Sequence, residues 1–142
     1  MRIISKIFTT AACAVVFAGP LASASAGASF SGAAHSMVIP MHGLNGSGQD
    51  GTATLAEVGN RVSVTIDVKG ESSRASEPAH VHFGHCPVIK AVPAYNVGPV
   101  VGGKATSVVQ LTWAEITSGK YVVNVHESAA MLGKYVSCGN IQ

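Results

Sequence analysis

The sequence predicts an all-β domain, a sandwich or a barrel, because its apolar residues alternate with period two and its turn residues recur at short intervals. The clearest alternation is in RVSVTIDVKG, where every second residue is Val or Ile. One face of that strand is therefore apolar and the other polar, as in an antiparallel sheet with one buried face. Clusters such as GLNGSGQDG and VGPVVGGK supply the turns between strands.

The other strands are predicted in chain order from similar short runs: HSMVIPM, GTATLAEV, AHVHF, ATSVVQL, KYVVNVHE and KYVSC. The helical signal is weak, and its best candidate is a turn at TWAEITSG. Residues 87–103 are rich in Pro and Gly, so we expect them to form the longest irregular connection.

The amino-terminal residues 1–26 have the layout of a secretory signal peptide. Arg2 and Lys6 precede an apolar run, which is followed by small residues ending at Ala26. Gly19 and Pro20 interrupt the run, so it is a poor membrane span. We therefore predict an exported protein, periplasmic or secreted, whose residues 27–142 form a single β domain.

The charge balance gives no reason to expect a nucleic-acid or membrane partner. The chain has nine Lys and Arg against seven Asp and Glu, and two of the nine lie in the predicted signal peptide. The remaining seven basic residues match the seven acidic ones and form no basic cluster.

The cysteines agree with export. Cys13 lies in the predicted signal peptide, which leaves Cys86 and Cys138. An even pair in an oxidising compartment most simply forms one disulfide, which would contribute about 2–4 kcal/mol by restricting the unfolded chain. Two buried free thiols are the alternative.

The segment PAHVHFGHCP concentrates three of the six histidines in ten residues. Residues two apart in a strand point to the same side, so His80 and His82 should project together, away from the core. Ala79, Val81 and Phe83 should face the core. His126 lies on the corresponding outward side of KYVVNVHE. Three imidazoles from two strands would suit copper, zinc or nickel, although an isolated pair is more often only a polar strand face.

Taken together, AHVHFGHC and VVNVHESAAMLGKYVSCGNI resemble the copper,zinc superoxide dismutase family, and the resemblance extends upstream to GSGQDGTATLAEVGNRVSVTIDVKG. The family pattern has a His-x-His strand, a nearby cysteine, a later Val-His-Glu strand and a terminal Cys-Gly-x-Ile. The resemblance implies a Greek-key β-sandwich or flattened barrel. It also implies that His80, His82 and His126 are copper ligands and that Cys86 and Cys138 form the family disulfide.

Two features of that family are missing from the sequence. Residues 87–103 contain no His, Asp, Glu or Cys, so neither the bridging histidine nor the family's zinc site is expected there. Tyr135 takes the place of the arginine that attracts superoxide in the family, and the neighbouring Lys134 should point the other way in a strand.

Other candidate ligands lie outside the three-histidine group. His85 stands at the end of its strand, where it is either a fourth ligand or, as we favour, a bystander. A second group, HSMVIPMH, holds His35, Met37, Met41 and His42, and thioether with imidazole suits Cu(I). Methionines in an apolar strand are more often core residues, so this second site is the weaker prediction.

These patterns lead to three hypotheses. The first is an exported protein that binds copper, as Cu(I) or Cu(II), and sequesters it or delivers it to a periplasmic partner protein. The second is a copper-only superoxide dismutase, and the third is a structural or interaction domain without metal. Pairing into a homodimer is an open alternative for all three.

Overall fold

The computed structural model describes residues 35–142, so the predicted signal peptide at residues 1–26 lies outside the described residues. Within that range the chain forms nine strands and one short helix. The strands are β1 (Ser36–Gly43), β2 (Gly51–Val58), β3 (Arg61–Val68), β4 (Glu77–His85), β5 (Val88–Ile89), β6 (Tyr95–Val100), β7 (Lys104–Val109), β8 (Tyr121–His126) and β9 (Tyr135–Asn140), and the helix is α1 (Trp113–Ile116).

The strands form one curled antiparallel sheet in the order β5-β4-β8-β9-β1-β2-β3-β7, with β6 also paired to β4. The sheet runs from β5 at one edge to β7 at the other. Strand β6, which pairs with β4 near the first edge, also contacts β7 at the second. The curl therefore wraps the sheet around a single interior. The predicted all-β class is confirmed.

The core follows from the alternation seen in the sequence. Leu55 on β2 lies opposite Val64 on β3, and both side chains are fully buried. The same side of β4 and β8 carries Val81 opposite Val123, again fully buried. One face of each of these strands thus supplies the apolar interior, and each such side chain contributes about 1.5–3 kcal/mol on burial.

The predicted helical turn is present as α1. Thr112 caps it by accepting a hydrogen bond from the Glu115 N–H, and the Glu115 carboxylate accepts one from the Thr112 N–H in return. This capping box stabilises a helix of only four residues, which would not persist alone in water. Ile116 anchors it to the core.

The prediction that residues 87–103 are irregular is wrong in part, because β5 and β6 both lie within them. Gly98 and Pro99 interrupt the alternation of β6, which hid the strand in the sequence. The turn into β7 requires Gly102 and Gly103, both of which have positive φ. An added side chain at Gly103 would also collide with the Val68 carbonyl.

The Cys86–Cys138 disulfide is formed, as predicted, and it spans 52 residues of chain. It attaches the segment that follows β4 to β9, the strand beside β8. A bond of this kind is typical of proteins from oxidising compartments. Among residues 35–142, no helix is long and apolar enough to cross a membrane.

The disulfide should carry a measurable share of the stability. Replacing both cysteines, as Cys86→Ala with Cys138→Ala, should lower the free energy of unfolding by about 2–4 kcal/mol, because the closed loop no longer restricts the unfolded chain. Urea denaturation of the parent and the double variant measures the difference. An unchanged midpoint would contradict the prediction.

Candidate metal centre

The pairing of β4 with β8 places the histidines of the two strands on one side of the sheet. His80 lies opposite Asn124, and His82 lies opposite Val122. Residues that face each other across an antiparallel pair share a face of the sheet. His126, two residues beyond Asn124, therefore stands on that same face, diagonal to His80.

Two irregularities in the ladder lie at these histidines. The register of β4 against β6 shifts between Ala79 and His80, and that of β8 against β9 shifts between Val125 and His126. Bulges bend a strand locally and redirect its side chains. The pairing of β4 with β8 itself is regular from Ala79 to Phe83.

The three imidazoles form one cluster. One nitrogen from each of His80, His82 and His126 lies within 4.8 Å of the others. The ring centroids of His80 and His126 are 4.9 Å apart, and each is 5.5 Å from that of His82. His80 Nδ1 and His126 Nε2 are 2.9 Å apart and share a hydrogen bond. The prediction that these three histidines meet is confirmed.

Backbone carbonyls orient two of the rings. His82 Nδ1 donates to the Lys90 carbonyl at 2.8 Å, and His126 Nδ1 donates to the Leu132 carbonyl at 2.5 Å. In a neutral imidazole, a proton on Nδ1 leaves the lone pair on Nε2. His82 and His126 thus present Nε2 to the cluster, which is the arrangement of metal-binding histidines whose other nitrogen is hydrogen-bonded.

The imidazoles lie on the face of β4 and β8 opposite the core, as predicted, but the expectation that this face looks outward to solvent is wrong. His82 is 0% exposed and His126 is 4% exposed, whereas His80 is half-buried. The segments that carry Lys90 and Leu132 fold over the polar face of β4 and β8 and cover the rings. Strand alternation identifies the face but does not reveal that connecting segments bury it.

Burial keeps the rings neutral. Desolvation, followed by repulsion from His126 and His82, lowers the pKa of His80 to about 4. Desolvation also lowers the pKa values of His82 and His126, although the carbonyls of Lys90 and Leu132 partly oppose the shift. Neutral imidazole is the form that binds metal. Because His126 Nδ1 donates to the Leu132 carbonyl, His80 Nδ1 donates to His126 Nε2, and a bound ion would replace this hydrogen bond.

The donor set fits a first-row transition metal ion. It offers three imidazole nitrogens without a carboxylate, the ligand type suited to copper, zinc, iron and nickel. His82 Nε2 is buried and has no hydrogen-bond partner in the described part of the chain. A buried imidazole nitrogen without a partner costs stability, and a bound cation would remove that cost.

The cluster opens to the surface beside His80. A groove of about 390 Å³ there is lined, besides His80, by Ser76, Pro78, Asn96, Gly98, Pro99, Ala129 and Leu132. None of those lining residues carries a charge. The lining therefore adds no charge of its own that would attract an anion or a cation to the cluster.

Asn124 and Tyr135 complete the surroundings of His126. Asn124 is fully buried, and its Nδ2 lies 3.3 Å from His126 Nε2. The Tyr135 ring packs edge-on against the His126 ring at 5.3 Å. We did not predict either contact from the sequence; the alternation of KYVVNVHE, which places Asn124 on the face of His126, was the available signal for Asn124.

Phe83, predicted to face the core, is 43% exposed, because it stands near the end of β4 beyond the interior and packs against the Tyr121 ring at 4.7 Å. Lys134, beside Tyr135, forms an ion pair with Glu127 at 2.5 Å.

The additional candidate ligands lie apart from the cluster. His85 is exposed at the end of β4. Met41 lies in the core and is 1% exposed, and Met37 is partly buried and packs against the same core. His42 points to the opposite face of β1, toward the disulfide. His35 stacks on Trp113 and contacts Glu57 at 2.6 Å. The second group of four is thus spread over separate surroundings.

Comparison with protein-family models, with curated proteins and with solved structures gives no match to this chain. The family interpretation therefore depends on the sequence motifs, and the case for a metal depends on the geometry of the cluster.

The buried imidazoles should make the metal-free protein lose stability as the pH falls. Below pH 6.5 the unfolded chain protonates its histidines, whereas the folded cluster resists protonation because its pKa values are lowered. The free energy of unfolding should therefore decrease from pH 6.5 toward pH 4. Urea denaturation across that range measures the slope.

A His82→Leu variant provides the control. It removes one of the imidazoles whose pKa is lowered and fills the buried position with an apolar side chain. Its stability should depend less steeply on pH over the same interval. Equal slopes for the parent and the variant would show that His82 does not contribute to the pH dependence of the free energy of unfolding.

Proposed function

We propose that this protein is an exported copper-binding protein that sequesters copper or delivers it to a partner protein. The observation that carries the proposal is the cluster of His80, His82 and His126, whose three nitrogens lie within 4.8 Å of one another. Preorganised imidazoles of this kind bind a metal without a large rearrangement of the chain.

Copper is the preferred ion for two reasons. Among divalent first-row metals, copper binds a given set of nitrogen ligands most tightly, and imidazole serves both Cu(II) and Cu(I) proteins. The His-x-His and Val-His-Glu motifs also resemble those that bind copper in the copper,zinc superoxide dismutase family. When bound, the ion would supply one-electron redox chemistry; the chain's contribution is to hold and shield it.

The groove beside His80 favours handling of copper over dismutation of superoxide. An enzyme that takes up a small anion rapidly benefits from positive charge around its entrance. Here the residues that line the groove beside His80 are uncharged. At the position where the family pattern has the arginine that attracts superoxide, this sequence has Tyr135. The nearby Lys134 is engaged with Glu127.

Delivery would require a partner surface at the same groove. Leu132 and Met131 are about half exposed on the segment that borders it, and their apolar side chains offer contact area to a copper donor or acceptor. Export, proposed from residues 1–26 and consistent with the disulfide, would place that partner in the periplasm or outside the cell.

Copper binding should depend on the cluster and on no other histidine. We expect about one tightly bound copper per chain in the parent, and loss of tight binding in His80→Ala, His82→Ala and His126→Ala, because two imidazoles hold copper far less firmly than three. His85→Ala, which changes an exposed histidine in the same strand, is the matched control and should bind as the parent does. Copper per protein after gel filtration measures this directly.

The rate of superoxide removal, recorded on the same copper-loaded samples, separates the carrier from the enzyme. A carrier should show negligible turnover per bound copper. A fast rate that scales with copper and disappears in His126→Ala would replace the carrier by a copper-only dismutase. Copper binding that survives in all three variants would remove the proposal altogether.

A further inference from the structure

A second polar site lies at one end of the sheet, separate from the groove beside His80. The connections between β1 and β2, between β3 and β4, and between β8 and β9 meet there around a cavity of about 360 Å³. Its lining includes Gln49, Glu77, Asn45, Ser47 and Glu127. Most of the polar atoms that these side chains offer are oxygens.

Glu77 is the central residue of this cavity. It occupies the first position of β4, and its side chain is buried, with only 4% of the residue exposed. Its Oε1 accepts a hydrogen bond from Gln49 Nε2 at 2.7 Å. Its Oε2 is buried, and it has no hydrogen-bond partner anywhere in residues 35–142. A buried carboxylate oxygen without a partner is costly unless a ligand satisfies it.

Gln49 presents a second such oxygen. The side chain is 4% exposed, and its Nε2 is used by Glu77. Its Oε1 is buried and, within the described range, also unpaired. The hydrogen bond holds the two side chains together, so two residues that line the same cavity each keep one unpaired oxygen, one from a carboxyl group and one from an amide.

The charges around the cavity are predominantly negative. Burial is the main cause that raises the pKa of Glu77, opposed by the Gln49 hydrogen bond, and the nearby Glu71 and Glu127 carboxylates raise it further. Lys134 is the cation on the lining, and its Nζ is bound to Glu127 Oε1 at 2.5 Å. Glu77 is thus left without a cationic partner among the described residues.

We propose that this cavity binds a hard divalent cation, Ca²⁺ by preference, through Glu77 Oε2 and Gln49 Oε1. Carboxylate and amide oxygens are the ligands that Ca²⁺ takes, and its flexible coordination accepts an irregular cavity completed by other oxygens and water. Copper prefers the imidazole nitrogens of His80, His82 and His126 to oxygen ligands, so the two sites should select different ions. The site does not depend on the copper-binding proposal.

The test is an NMR titration of the isotope-labelled protein with CaCl₂. Extracellular calcium modules have a Kd on the order of 10⁻⁴–10⁻³ M, so the titration should extend to about 10 mM. We expect saturable shifts of the Gln49 side-chain amide and of the backbone amides near Glu77. The absence of shifts at these groups, or shifts that rise without saturation, would overturn the proposal.

Variants locate the ion. Glu77→Gln keeps the shape of the side chain and removes its charge, and it should weaken binding about ten-fold or more. Glu57→Gln removes the same charge from a carboxylate that contacts His35 instead, and it should bind Ca²⁺ as the parent does. Equal affinity in the parent and in Glu77→Gln would place the ion elsewhere and reject the site.

Two further variants keep the test independent of folding and of the copper site. If Glu77→Gln does not fold, Gln49→Met, which removes only the amide, should show the same loss of affinity. His126→Ala should keep Ca²⁺ binding although it loses copper. Loss of Ca²⁺ in His126→Ala, with the chain still folded, would attribute the shifts to the histidine cluster and contradict the inference.

Discussion

The antiparallel pairing of β4 with β8 is the constraint on which both the core and the histidine cluster depend. Across this pair, Val81 and Val123 meet on the interior face, while His80 and Asn124 meet on the other. A slip by one residue would exchange the two faces, placing imidazoles in the apolar interior and valines under the covering segments. The apolar contacts that stabilise the sheet therefore also set the positions of the candidate ligands.

Two covering segments, one after β4 that carries Lys90 and one after β8 that carries Leu132, orient and bury the histidine rings, which the strands alone would leave exposed. The Lys90 and Leu132 carbonyls orient the rings of His82 and His126, and the Cys86–Cys138 disulfide ties the start of the first segment to β9. The second segment is held at its ends by the Glu127–Lys134 ion pair and by a hydrogen bond from the Glu127 N–H to the Lys134 carbonyl. A polar strand face thus becomes a shielded cluster whose nitrogens point toward one another.

Alternation and spacing were sufficient to predict most of the strands that build the core and the common face of His80, His82 and His126. The disulfide was predicted from the even number of cysteines together with export, and from the family resemblance. They were insufficient where the outcome depends on contacts between distant segments. The burial of His82 depends on a segment eight residues away folding back over its own strand. β6 was missed because Gly98 and Pro99 break its pattern, and Phe83 fits the pattern yet extends past the interior. The pairing of Gln49 with Glu77 joins the loop between β1 and β2 to the start of β4, for which local sequence carries no signal.

The graded exposure of the three imidazoles has a consequence for the order of ligand exchange. His80 is half-buried and borders the groove, whereas His82 and His126 lie beneath their covering segments. If the cluster binds copper as proposed, His80 would be the ring that an ion entering from the groove meets first. His80 would then also be the ligand nearest to a partner protein that docks at the groove, while the covered His82 and His126 would stay out of its reach.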